Sequence, residues 1–228
     1  MSFPARYAIL LDGAFVNIKL KSILRRFPTA RDIVDLCDSI KSYPDFADLQ
    51  LLRAYFYHAP PITGKQINPL DQKEHEFGQT TAFRDNERLL NQLELEDNFA
   101  LRLGQTRVHG WRLGSSALRS LEESSRQITA NDLVPNITQK GVDLRIGLDI
   151  ARLSLTNSVQ AIVVVSGDSD LVPAFKFARR EGVRIYLDHL KHGVMRELKA
   201  HADIILDVAL TSARAKAPKT RIKSTMKA

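Results

Sequence analysis

AIVVVSGDSDLVP, residues 161–173, is the stretch that decides the fold. Ala161 to Val165 is an unbroken apolar run with β-branched residues throughout its core, which reads as a strand buried on both faces; a strand with one wet face would alternate. Val159 lengthens it at the front. The strand runs into Ser166-Gly167-Asp168-Ser169-Asp170, and Pro173 then falls in the first turn of a helix from Leu171 to Arg180. The same alternation continues downstream, with a strand over Val183 to Leu187, a helix over Val194 to Ala200 and a short strand over Ile204 to Val208. Upstream, Val142 to Leu155 carries Leu144, Ile146, Leu148, Ile150, Leu153 and Leu155, and predicts a helix buried on much of its circumference. Strands separated by helices imply right-handed crossovers and a mainly parallel sheet covered on both faces, hence an α/β fold.

The N-terminal part repeats the theme. Tyr7 to Leu11 is a short apolar run that stops at Asp12-Gly13, a buried strand ending in a turn. Ala14 to Arg26 has helical spacing, and Thr29 is placed to cap a second helix through Ile33, Leu36, Cys37 and Ile40, which Pro44 ends. Leu49 to Tyr57 reads as the next strand, closed by Pro60-Pro61. Residues 62–132 are less regular: a polar loop, a helix centred on Arg84 to Leu95, strand-like alternation over Phe99 to Leu113, and a Ser- and Glu-rich piece over Gly114 to Asn131 that reads as a mobile segment or a short exposed helix. They are treated as an insertion or elaborated edge of one domain spanning 1–210, with 211–228 as a flexible tail.

Composition narrows the function classes. At 228 residues and 44% hydrophobic, the chain has material for one sizeable core. A single cysteine, Cys37, excludes an internal disulfide framework and reads as a core residue. The longest apolar runs, Ala8 to Leu11 and Ala161 to Val165, fall far short of the roughly 20 residues that span a bilayer, and no signal peptide is read at the N-terminus; the expectation is a cytoplasmic protein with no membrane partner. Of the 33 basic residues, Arg214, Lys216, Lys219, Arg221, Lys223 and Lys227 lie in the tail with no acid among them, which accounts for +6 of the net +7. Such a tail reads as a solvated end or as a sequence-blind contact with nucleic-acid phosphates.

The acidic residues carry the chemistry. In an open parallel sheet, ligands bind beyond the carboxyl ends of the strands. Asp12 stands at that end of the first strand, and Asp168 and Asp170 follow directly on the 161–165 strand. Asp143 lies in the first turn of the helix that begins near Gly141. Each has a structural explanation too: a turn for Asp12, a helix cap for Asp170, the helix dipole for Asp143. Together they predict four carboxylates at one mouth, which must hold protons or bind a cation. Oxygen donors without cysteine favour Mg²⁺ or Mn²⁺ over zinc, and such a site suits phosphodiester hydrolysis. Asp149 points away from Asp143 on the helix and reads as supporting or structural. Asp188 reaches the same edge as a weaker fifth candidate, and Asp203 belongs at the opposite end.

Around the acids, Lys140, His189, Lys191 and His192 are placed to touch phosphates, and Ser166 and Ser169 to hydrogen-bond the carboxylates. A zinc site from His189, His192 and His201 finds no assisting cysteine. Neither an ATP-type phosphate loop nor a dinucleotide fingerprint is present, and neither serine has a nucleophile-elbow context. Trp111, Tyr55 and Tyr57 read as core aromatics before base-stacking ones. A haloacid-dehalogenase-type phosphatase would need an acid two residues after Asp12, where the chain has Ala14.

Leu10-Leu11-Asp12-Gly13-Ala14, Lys140-Gly141-Val142-Asp143 and Val165-Ser166-Gly167-Asp168-Ser169-Asp170-Leu171-Val172-Pro173 together resemble the NYN domain, in the LabA-like (formerly DUF88) branch of the PIN-like nuclease superfamily. The likeness covers roughly Tyr7 to Val208 and is weakest over 62–132. It implies a PIN-like three-layer sandwich, a metal-dependent ribonuclease activity and a metal cluster of Asp12, Asp143, Asp168 and Asp170. Many members have an Asn shortly after the first aspartate; here Gly-Ala-Phe-Val intervenes before Asn17, which departs from that pattern. The expectation is a divalent-metal-dependent ribonuclease, an endonuclease using Mg²⁺ or Mn²⁺ on single-stranded or structured RNA, with Asn17, Lys140, Ser166, Ser169, His189 and His192 as substrate-binding candidates. The alternative is a non-catalytic nucleic-acid-binding or regulatory module of the same fold. The sequence is compatible with a homodimer.

Overall fold

The computed structural model describes residues 4–208, so the basic tail lies outside the described residues. Six parallel strands form the central sheet: β1 (Arg6–Asp12), β2 (Gln50–His58), β5 (Phe99–Leu103), β8 (Ala161–Val165), β9 (Arg184–Asp188) and β10 (Ile204–Ile205). Their spatial order is β10-β9-β8-β1-β2-β5. From β1 the chain winds outward through β2 to β5, then returns to β1's other side and winds outward again through β8, β9 and β10. The reversal leaves a crevice beyond the ends of β1 and β8, where the loops leaving the two strands diverge.

The two halves place their helices on opposite faces. One core layer joins Ile9 and Leu11 of β1 to α1 (Gly13–Leu24), α2 (Ala30–Lys41) and α3 (Thr81–Leu93). The other joins Ala8 and Leu10 to α5 (Val142–Leu155), α6 (Val172–Arg180) and α7 (Arg196–Ala200). Adjacent β1 residues thus serve opposite layers, which is why the strand shows no alternation in sequence. Cys37 is fully buried. Each fully buried Val, Leu, Ile or Phe side chain of these layers stabilises by about 1.5–3 kcal/mol. Thr29 closes a reciprocal cap on α2: its hydroxyl accepts from the Asp32 backbone N–H while Asp32 accepts from the Thr29 N–H.

Two expectations change. α5 is buried on one face, through Val142, Ile146, Ile150 and Leu153, while Leu144, Leu148 and Leu155 are exposed at 66%, 59% and 62%. Nothing in the apolar pattern marks which stripe the sheet covers. Between residues 62 and 140, two antiparallel hairpins accompany the edge strand β5: β3 (Lys65–Ile67) with β4 (Glu74–Glu76), and β6 (Gln105–Leu113) with β7 (Leu133–Lys140). The sequence reading had no β3, β4 or β7. Short polar strands with at most partly buried faces carry little hydrophobic signal. α4 (Ser115–Glu123) is a short, largely exposed helix. Trp111 Nε1 donates to the Ile67 carbonyl at 2.9 Å and ties the hairpins together.

Candidate active site

Asp12 ends β1 and caps α1, its Oδ1 accepting from the Phe15 N–H at 3.2 Å. The helix starts at once because residue 13 is glycine: a Cβ there would stand 2.6 Å from the Tyr57 carbonyl and 2.8 Å from the Phe56 ring. The other oxygen of Asp12 accepts from the Ser166 hydroxyl at 3.0 Å, across from β1 to the end of β8. Ser166 is fully buried, and its Oγ also accepts from the Asp168 N–H at 3.2 Å. Asp168 then caps a short turn over Ser169–Leu171 by accepting from the Asp170 N–H at 2.9 Å. A chain of hydrogen bonds therefore runs from Asp12 through Ser166 and Asp168 to Asp170. Gly167 lets this loop lie against Phe15, since a Cβ would come within 2.7 Å of that ring and 3.3 Å of the His192 ring.

Asp143 enters from the first turn of α5, where the charges of the other acids act on it. Partial burial raises its carboxyl pKa first, and the charges of Asp168, Asp12 and Asp170 push it further up. Burial likewise raises Asp12 most, with Asp168 adding to it; the hydrogen bonds from Phe15, Ser166 and Ala14 oppose the rise. Carboxylates that repel one another in this way take up protons or gather a cation. All the donors are hard oxygens, which fits Mg²⁺ or Mn²⁺ in chemistry. Among the described residues, however, no three of His, Cys, Asp and Glu stand near enough to hold one ion as the side chains lie.

The remaining candidates divide by location. Lys140 is exposed at the end of β7, three residues before Asp143. Ser169 begins the turn, and its hydroxyl makes no hydrogen bond among the described residues. His192 lies beside the loop at Gly167, its ring 5.9 Å from Phe15, with Lys19 Nζ donating to its Nδ1 at 2.8 Å. His189 lines a different cavity with Asp188 and Ile23. Burial, then the charge of Lys199, lowers its pKa. Asp188 is buried in that cavity, where its Oδ1 accepts from the Leu190 N–H at 2.8 Å. Asp149 accepts from the Tyr57 hydroxyl at 2.8 Å and from Arg102 Nε at 3.0 Å, a structural pairing inside the second layer. Asp203 accepts from the Ile185 N–H and pairs with Arg179, at the far end of the sheet. Asn17 is buried on α1 and lines a cavity with His58.

Sequence reasoning missed His58, Asn86 and Lys19. His58 carried a usable signal, because it ends β2 as Asp12 ends β1, and the two strands pair in parallel with Asp12 opposite Tyr57. Lys19 had none, since its partner His192 is remote in sequence.

Residues 105–209 match the model of the NYN domain family. The matched range contains Asp143, Asp168 and Asp170 and leaves β1, with Asp12, outside it. No curated protein shows a match to the sequence. Among solved structures, the chain is similar to the crystal structure of a protein of unknown function from Vibrio parahaemolyticus, at 15% identity over 90% of this chain and 95% of that one, with a TM-score of 0.48.

Proposed function

We propose that this chain is a divalent-metal-dependent ribonuclease, an endonuclease that hydrolyses RNA phosphodiester bonds with Asp12, Asp143, Asp168 and Asp170 holding Mg²⁺ or Mn²⁺. One observation carries this reading. Asp12, Asp168 and Asp170 are linked by a chain of hydrogen bonds where β1 and β8 end, the charges of all three act on Asp143, and none of the four is ion-paired among the described residues. Asp32, Asp132, Asp149 and Asp203, by contrast, each pair with an arginine. Clustered acids without a basic partner hold a proton or a cation. The NYN match supports the reading, since three of the four fall within it.

A divalent ion held there would polarise the phosphodiester and its attacking water. The chain's own contribution is positional. Ser166 turns Asp12 toward the loop, and the Asp170 N–H fixes Asp168. Lys140 and His192, on the rim and beside the loop, would meet RNA phosphates; Ser169 would adjust to the scissile group. His189, in its separate cavity, would meet the strand only outside this crevice.

Binding without turnover is the second reading, favoured by the absence of any three ligating groups in reach of one ion among the described residues. Incubation of single-stranded and structured RNA with Mn²⁺ or Mg²⁺, with and without chelator, separates the two. Cleavage that stops with chelator, and that falls about 100-fold or more in Asp168→Asn without loss of folding, is expected. An Asp168→Asn protein that cuts as fast as the parent overturns the nuclease reading. RNA bound but left intact by the parent in both metals establishes the second one.

A further inference from the structure

We propose that Lys19 and His192 form a clamp for one backbone phosphate of the RNA strand, seated across the mouth of the carboxylate crevice. The nuclease reading enters only in naming that strand. The two residues come from opposite sides of the mouth. Lys19 lies on α1, which Asp12 caps at the end of β1, and His192 lies in the loop from β9 to α7, on the β8 side. Lys19 Nζ donates to His192 Nδ1 at 2.8 Å and joins the two sides.

Packing fixes where the pair sits. The centroid of the Phe15 ring is 5.6 Å from Lys19 Nζ and 5.9 Å from the His192 ring, and an aromatic face attracts a cation at that range. His192 also stands against Gly167, where a Cβ would come within 3.3 Å of its Cδ2. The imidazole edge that carries Nε2 beside Cδ2 is therefore turned to the loop of Ser166, Asp168 and Asp170. The chain is bent to deliver it there. Leu190 and Lys191 have φ of +45° and +57°, left-handed values that are uncommon for one non-glycine residue and rarer for two in succession. The His192 N–H closes this turn on the His189 carbonyl at 2.7 Å, and Leu190 anchors it in the core. Strain of this kind persists only where the surroundings over-determine it, and it gathers at binding sites.

The chemistry of the pair is that of an anion site. An ammonium has donors only, so His192 Nδ1 is the acceptor and Nε2 carries the ring hydrogen. Nε2 has no hydrogen-bond partner among the described residues, and no carboxylate there lies within ion-pair reach of Lys19. Both side chains reach solvent: His192 is exposed and Lys19 half-buried. The clamp thus presents free N–H groups, one set of them charged, with no acceptor between them. Base edges mix donors with acceptors, whereas a phosphate is anionic and offers several acceptor oxygens at once.

Fluorescence anisotropy of the full chain with a labelled single-stranded oligoribonucleotide tests this in chelator, where no metal-dependent cleavage intrudes. Lys19→Gln is expected to weaken binding about 3- to 30-fold at about 0.1 M salt and to make the slope of log affinity against log salt shallower by about 0.7. His192→Phe, which keeps a ring on Phe15, should weaken it about threefold or more. The double variant should lose no more than about twice what the worse single loses, because both groups serve one phosphate. Lys21→Gln removes the same charge from the same helix about 200° away and should leave binding within about twofold of the parent. A parent that binds no RNA, a Lys19→Gln protein that binds as tightly as the parent, a Lys21→Gln loss as large as that of Lys19→Gln, or single losses that multiply in the double variant overturns the proposal. Inorganic phosphate held by the parent and not by Lys19→Gln, with equal RNA affinities, assigns a free anion and overturns it too. Weakened binding in Lys19→Gln with no metal-dependent cleavage by the parent removes the nuclease reading alone, and cleavage with RNA affinity untouched by Lys19→Gln removes this clamp alone.

Discussion

Asp188→Asn should remove the pH dependence that one buried acid imposes on stability. Asp188 is 2% exposed, and its Oδ2 has no partner among the described residues. Burial, with a smaller push from Asp207 and an opposing Leu190 N–H bond, raises its carboxyl pKa to about 6. The folded state therefore holds this proton more tightly than the unfolded chain, whose carboxyl titrates near 4. The stabilising contribution is complete below about pH 4, is lost as pH rises through 6, and is absent by about pH 7.5. A gap of about two pKa units corresponds to about 3 kcal/mol. The asparagine does not titrate and its Oδ1 still accepts from Leu190; its amine replaces the unpartnered oxygen at a pH-independent cost of roughly 1–3 kcal/mol. Urea unfolding of parent and variant at pH 4.5, 6 and 8 measures the difference directly. The variant should gain about 2 kcal/mol relative to the parent between the lowest and highest pH, whatever the constant offset, the rest of the gap lying below pH 4.5. A difference that stays flat across that range refutes the buried, proton-holding assignment.

Two further substitutions test the parts of the scaffold that hold the crevice. Asp149→Ala removes the shared acceptor of the Tyr57 hydroxyl and Arg102 and should lower stability by roughly 2–4 kcal/mol, read from urea midpoints; a loss under about 0.5 kcal/mol contradicts its structural role. Gly167→Ala forces a Cβ against the Phe15 ring and should cost about 1–3 kcal/mol while displacing the Ser166 to Asp170 loop, seen as a lowered melting temperature; an unchanged melt means that the loop has slack that the contacts do not show.

The central sheet was legible because its strands are short and apolar on both faces. Tyr7 to Leu11 and Ala161 to Val165 admit few other readings, and the strand-end rule then places Asp12 and Asp168 on one edge. The hairpins escaped because strands such as Leu133–Lys140 are at most partly buried, and Pro135 within this one argues against a strand by local chemistry. α5 was over-buried for a related reason: Leu144, Leu148 and Leu155 look like core residues until the sheet shows which stripe it covers. The cavity that Asn17 lines was invisible because its walls come from α1, β2 and α3, and only the fold brings them together. The side on which Asp188 and His189 fall follows from β9 alternation, which a reading from loop position alone does not use.

The claim beneath all of this is that Asp12, Asp143 and Asp168 draw in to share one hard cation. Calorimetric titration of the full chain with Mn²⁺ tests it without RNA. The parent should bind the ion, and Asp12→Asn, Asp143→Asn and Asp168→Asn should each weaken binding about tenfold or more while remaining folded. A parent that takes up no Mn²⁺, or three variants that bind it as tightly as the parent, contradicts the account.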